Sequence, residues 1–273
     1  MPTINERLKQ VTLKIKRAKE HVGDLDRQLG VFFESEPYKV TSKHDPKTRK
    51  LIYYVASVEP TPDCLPLVAG DVIQNLISAL DHLAYQIVCS DTGDNPPRPH
   101  KIYFPIAPRA DEYEAVKRRK MQGARQESFD ALDLIEPYEG GKGAELWRLS
   151  SLNNIEKHRL LLTVGSQAAG IKLGPLMAGD MRHAGSDWPA EIINVIESFA
   201  VDLLPSDKGF PLEAGFKLYV GAVNQEPNPK QQFRFDVALN EPGIAEGKPL
   251  IETLHQFTTL VEGIVTALTP RLV

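Results

Sequence analysis

Residues 65–90 read LPLVAGDVIQNLISALDHLAYQIVCS, and the way this stretch is buried decides the fold. Val68, Ile73, Leu76, Ile77, Leu80, Leu83, Ala84, Ile87 and Val88 surround most of a helical circumference, so the rod meets other protein on more than one face. Set into it is a single polar line of Asp71, Asn75, Ser78 and His82, spaced by steps of four, three and four residues. Such steps stack side chains on one helical face. Amide, carboxylate and imidazole groups are costly to bury unless each is hydrogen-bonded. The line therefore needs a polar counterpart: another helix, a second subunit, water or a ligand. A purely structural network meets that need as well as a functional site does.

Outward from this stretch, Thr3 and Glu6 form a capping-box pattern that opens a first helix. Ile4, Leu8, Val11, Ile15, Ala18, Val22, Leu25, Leu29 and Phe32 then repeat at alternating steps of four and three, a seam that wants a helix alongside it. The central helix, the C-terminal helix and a second copy of the chain all qualify, the last giving a homodimer. Gly23 and Gly30 are places where the helix loosens or ends. Residues 38–41 and 50–58 are β-rich runs around a Lys43-His44-Asp45-Pro46 turn, a predicted hairpin. A further helix is predicted over 142–164. On it Trp147, Ser151, Asn154 and His158 repeat the four, three, four spacing of the central helix, so two complementary polar lines would solve each other's burial.

Beyond Gly165 the texture is Gly-rich and β-like. Residues 216–223 and 232–239 alternate like a pair of antiparallel strands joined by a Pro/Asn-rich turn, 188–204 reads as a helix, and Pro249 opens a last amphipathic helix. The expected fold class is α+β: a helical bundle of long N-terminal, central and C-terminal helices with an antiparallel sheet. Residues 1–164 form a mainly helical region with a β-hairpin, and 165–273 a β-rich segment closed by the C-terminal helix, the two packed as one unit.

A net charge of −4 gives no global attraction to nucleic acid or anionic membrane. The basic groups are nonetheless concentrated early. Lys14, Lys16, Arg17 and Lys19 cluster in the first helix, and Lys117, Arg118, Arg119, Lys120 and Arg125 near a second one. Either is a candidate polyanion contact or a solvated face. Cys64 and Cys89 sit at opposite ends of the central helix, roughly 35 to 40 Å apart at 1.5 Å per residue, too far for a mutual disulfide. With no leader signal and no apolar run expected to span a bilayer, the reading is a reduced, cytoplasmic protein away from membranes. No metal or cofactor motif is found: the histidines never pair at helical ligand spacing, and the loop Gly140-Gly141-Lys142-Gly143 lacks the P-loop ending.

The words NLISALDHLAYQ and NNIEKHRLLL, with Gly70 and Asp71 upstream, resemble a widespread and largely uncharacterised family of bacterial proteins. In that family the words read like Asn-Leu-Arg-Ser-Ala-Leu-Asp-His and Asp-Lys-His-Arg. The first word also resembles the motif of HEPN-domain proteins, in which an arginine precedes a helical histidine by a short spacing. That resemblance implies metal-independent RNA cleavage, often in toxin or defence systems, at a site formed where two such helices pair. His82 falls on the histidine position, whereas Ile77 holds the arginine position and cannot bind a phosphate. The candidate catalytic set is then His82 and His158 as base and acid, Asn75 and Asn154 as orienting amides, and Arg159 as the replacement cation. RNA and a second copy of the chain are the candidate partners. The alternative is a non-catalytic assembly or partner-binding protein in which both polar lines are structural.

Overall fold

The computed structural model describes residues 2–158, 162–185, 188–205 and 207–272, apart from the side chains of Lys157 and His158. Helix α1 (Ile4–Glu34) opens on a closed capping box: Thr3 Oγ1 accepts the Glu6 amide at 3.3 Å while the Glu6 carboxylate accepts the Thr3 amide at 2.7 Å. It runs unbroken through Gly23 and Gly30, because the seam of buried residues from Val11 to Phe32 holds it against its neighbours. Strands β1 (Tyr38–His44) and β2 (Lys50–Val58) form the predicted hairpin. Asp45 Oδ1 secures its turn by accepting the Lys47 and Thr48 amides at 2.9 and 2.8 Å.

The central helix is α2 (Cys64–Asp91), followed by α3 (Ala110–Lys120), α4 (Gln126–Asp133) and α5 (Ala144–His158). The chain continues through β3 (Val164–Lys172), α6 (Leu173–His183), α7 (Ala190–Glu197) and β4 (Asp202–Leu203). It closes with β5 (Lys217–Val223), β6 (Phe233–Leu239), β7 (Lys248–Pro249) and α8 (Leu250–Leu268). The fold is α+β.

Helices α1, α2, α5 and α8 make the bundle. Arg7 reaches Gln86 at 3.3 Å and Lys14 reaches Asn75 at 3.4 Å, so α1 and α2 run antiparallel. Lys19 pairs with Glu262 at 2.6 Å, tying α8 to α1. Leu25, Leu76, Leu80, Leu146 and Phe257 are fully buried in one continuous core, which also takes in Val237 and Leu239 of β6. The C-terminal half is thereby packed into the N-terminal bundle.

Two sheets, ordered β1-β2-β5 and β4-β3-β6-β7, share a second core around Leu51, Val55, Ala168 and Leu218. Tyr38 pins them together, donating to Ser166 Oγ at 2.8 Å with its ring 4.4 Å from that of Phe235. Here the expectation of a β5–β6 hairpin fails. Strand β5 pairs with β2 and β6 with β3, as in Tyr53↔Tyr219 and Ser166↔Val237. The cause lies in the connection, which is tied to α6 and β2 rather than turned tightly on itself. Gln225 donates to Asp180 at 2.7 Å, Asn228 Nδ2 to the Pro175 carbonyl at 2.6 Å, and the Asn228 amide to Tyr53 Oη at 2.7 Å. The helix expected over 188–204 is also shorter. It ends at Glu197, whose carboxylate accepts Arg182 at 2.8 Å and Lys230 at 2.6 Å, and the chain then extends to pair β4 with β3.

Contrary to the sequence expectation, α2 is long and apolar enough to cross a bilayer by length and composition alone. Its most apolar stretch is 56% buried inside the protein, as befits the core helix of the bundle.

If α8 is part of the main core, Phe257→Ala should lower unfolding stability by about 3–5 kcal/mol, the usual range for a buried phenylalanine. Leu204→Ala, at a residue 77% exposed, should change it by less than ~0.5 kcal/mol. Urea unfolding of the two variants against the parent chain measures both.

Candidate functional site

The polar line of α2 meets α1. Val11, Ile15 and Ala18 turn inward, which leaves Lys14 at the edge of the seam, half-buried beside α2. Its ammonium donates to Asn75 Oδ1 at 3.4 Å, and Asn75 Nδ2 donates to the Asp71 carbonyl one turn back at 2.8 Å. His82 lies on the same face, part-buried. Its imidazole is held below the usual histidine range, first by burial and then by the positive charge of Lys14. Lys14, Asn75 and His82 are all part-exposed on this side, with His82 two helical turns, about 10 Å, beyond Asn75 along α2. Further along, Arg7 is buried and bridges to Asp94 at 2.8 Å.

The opposite side of α2 faces α5. Gly70 permits a close crossing there, since a Cβ at that position would stand 3.0 Å from Glu156 Cγ. Between the two helices and the segment around Phe104 lies a cavity of about 130 Å³. Its walls include Ile77, Leu80 and Asp81 of α2, Lys120 at the end of α3, and Asn153 and Asn154 of α5. Asp81 Oδ1 accepts the Phe104 amide at 2.9 Å, and Lys120 Nζ donates to the Phe104 and Ile106 carbonyls, each at 3.4 Å. Burial pushes the Lys120 ammonium below its ordinary range, while the Asp81 carboxylate acts in the other direction. Asn153 is only 4% exposed, and its Oδ1 is buried without a hydrogen-bond partner.

The residues expected to form one site are therefore distributed. Asn75 and His82 share the α1-facing side of α2, where Lys14 meets Asn75, and Asn154 lines the cavity on the α5 side. At 3.6 residues per turn His82 stands about 140° around the helix from Ile77. Ile77 is buried in the cavity wall, so the two polar lines do not face each other across α2 and α5. The side chain of His158, at the end of α5, and Arg159 lie outside the described residues.

Four residues at these seams stand outside the expected set: Lys14 and Lys120, which belong to the basic clusters, Asp81, adjacent to His82, and Asn153, adjacent to Asn154. The doublets Asp81-His82 and Asn153-Asn154 were a usable signal, because consecutive helical residues project about 100° apart and so serve two different faces. The basic run of α3 proves largely paired: Lys117 is buried against Asp133 at 2.6 Å and Glu114 at 2.8 Å, and Arg118 pairs with Glu114 at 2.6 Å.

No protein-family model matches this chain, and neither does any curated protein or solved structure.

Because the folded imidazole of His82 titrates below the ordinary histidine value of 6.5, the unfolded chain takes up its proton first. Stability contributed by the neutral ring is present above pH 6.5 and lost as the pH falls through the folded value. Urea midpoints between about pH 8 and pH 5 should fall more steeply for the parent chain than for His82→Gln, to the extent of this one group. Parallel curves would show that His82 titrates alike in both states.

Proposed function

We propose that this chain is a HEPN-like protein that acts on RNA through the groove between α1 and α2. It would act as a metal-independent endoribonuclease or as a degenerate RNA binder of a bacterial defence or stress system. The observation that carries the reading is Lys14 set against Asn75 on a part-exposed face of α2, with His82 about 10 Å further along that face and its imidazole held below the usual range by burial and by the charge of Lys14. A neutral imidazole suits removal of a 2′-hydroxyl proton, and a fixed ammonium suits the charge that develops on the phosphorus oxygens. In this reading Lys14 takes the part that Ile77 cannot play, because Ile77 is turned into the cavity on the other side of α2. Two cysteines free of any disulfide, one exposed and one buried, agree with a reducing, cytoplasmic setting.

A second reading, a non-catalytic assembly or partner-binding protein that forms a homodimer, is favoured by a specific surface. Trp188, Val195, Phe199, Val201 and Leu204 are each more than 40% exposed around α7, more apolar area than a solvated helix needs. The paired charges of α3 also reduce its attraction for a polyanion.

Single-stranded RNA incubated with the protein and EDTA distinguishes the two. The first reading expects cleavage that falls by roughly a hundredfold or more in His82→Ala and in Lys14→Ala. In its degenerate form it expects salt-dependent binding without cleavage, weakened by Lys14→Ala. Neither cleavage nor binding, together with a dimeric mass in solution that Val195→Asp abolishes, would replace it with the second.

A further inference from the structure

We propose that the open edge of β1 takes up an extended acidic peptide as a further strand, with its alternate apolar side chains seated in the groove between β1 and β6. Strand β1 is outermost in its sheet, and no strand among the described residues borders its far side. Where the hairpin closes, the Asp45 amide donates to the Lys50 carbonyl at 2.9 Å, while the Val55 amide turns away to Phe216 on the β5 side. Antiparallel alternation then assigns the backbone groups of Thr41 and Lys43 to β2 and turns those of Val40 and Ser42 to the open edge. Strand β6 has a similar deficit. Among the described residues, β7 pairs with it only at Ala238 and Leu239, which leaves the run from Phe233 to Val237 with no strand on that side. A row of unpaired backbone donors and acceptors selects an extended polypeptide, the ligand that repeats N–H and C=O at strand spacing.

Side chains and charge narrow the occupant further. The groove holds about 450 Å³ and is lined by Phe33, Tyr38, Val40, Phe233 and Phe235, each of them part-exposed. The Tyr38 ring lies 4.4 Å from that of Phe235 and 6.3 Å from that of Phe33, an aromatic floor for the apolar side chains of an incoming strand. On the opposite face of β1, Lys39, Thr41 and Lys43 are exposed, with Lys43 over the Tyr54 ring at 4.5 Å, and the strand carries no acidic residue. Like charges directly opposite each other on paired strands repel, and unlike charges attract. A second copy is a poor occupant for this reason. In the full antiparallel overlap of two β1 strands, centred on Thr41, Lys39 of each copy stands opposite Lys43 of the other. A strand with acidic residues over those two lysines meets no such cost. Arg234 at the groove is already paired with Asp202, and Glu36 precedes β1, away from the hairpin turn. The occupant is therefore a segment of another protein that alternates apolar and acidic residues, and the inference stands apart from the RNA reading.

Fluorescence anisotropy of the intact protein with labelled peptides of about eight residues, one alternating valine with glutamate and the other valine with lysine, tests the assignment. The glutamate peptide should bind roughly tenfold or more tightly than the lysine peptide. Ser42→Pro removes an outward N–H and sets a ring on the edge while sparing the bonds within the hairpin, and it should weaken the glutamate peptide roughly tenfold or more. The double variant Lys39→Glu, Lys43→Glu keeps the backbone edge and should reverse the preference, which keeps the test decisive should Ser42→Pro disturb the strand. No binding of the glutamate peptide to the parent chain overturns the inference, as does binding that both variants leave unchanged. A dimer in solution that Ser42→Pro disperses would give the edge to a second copy and overturn it as well.

Discussion

The structure depends on surrounding α2 with protein. Its apolar residues occupy nearly the whole circumference, and each fully buried leucine or isoleucine is worth about 1.5–3 kcal/mol relative to exposure. No single neighbour can cover such a rod. Helices α1, α5 and α8 do so together, and the segment around Phe104 seals what they leave open. The antiparallel placement of α1, the return of α8 from the far end of the chain and the close crossing at Gly70 all follow from that demand.

Polar groups on a helix of this kind are tolerated only at the seams between its neighbours, and α2 has two such seams of different character. On the α1 side the seam is wet. Asn75 and His82 stay part-exposed, and a lysine from α1 meets Asn75. On the α5 side Asp81 is answered by the Phe104 amide and Lys120 by two carbonyls. Asn153 Oδ1 and Gln74 Oε1 are buried with no partner among the described residues. A wet seam with a cation and a neutral imidazole is suited to chemistry on a solvated, charged substrate. Both seams lie on the same helix because residues one apart in sequence point to different faces.

The β-sheets carry the second half of the molecule onto this bundle. Strand β6 contributes Val237 and Leu239 to the helical core while its other residues meet the hairpin β1–β2 through Tyr38, Phe233 and Phe235. The connection from β5 to β6 crosses between sheets, held by Gln225 and Asn228, so the region after residue 165 is interleaved with the region before it. The composition change near that point marks a change of secondary structure, with both cores shared across it.

The sequence by itself determined the local elements: the capping box at Thr3, the heptad seam of α1, the hairpin around Asp45, the burial of α2 and the amphipathic α8. Each of these is set by neighbours within a few positions, through backbone preference and periodicity. It also determined that the polar line Asp71-Asn75-Ser78-His82 must find a counterpart, though not which one. Only the tertiary structure decided that Lys14 answers Asn75, that Ile77 and Asn154 line a separate cavity, and that β5 and β6 part company. Those outcomes turn on the rotational phase of one helix against another and on long-range hydrogen bonds from Gln225 and Asn228. A linear pattern constrains which face a residue shares but carries no information on what will be laid against that face.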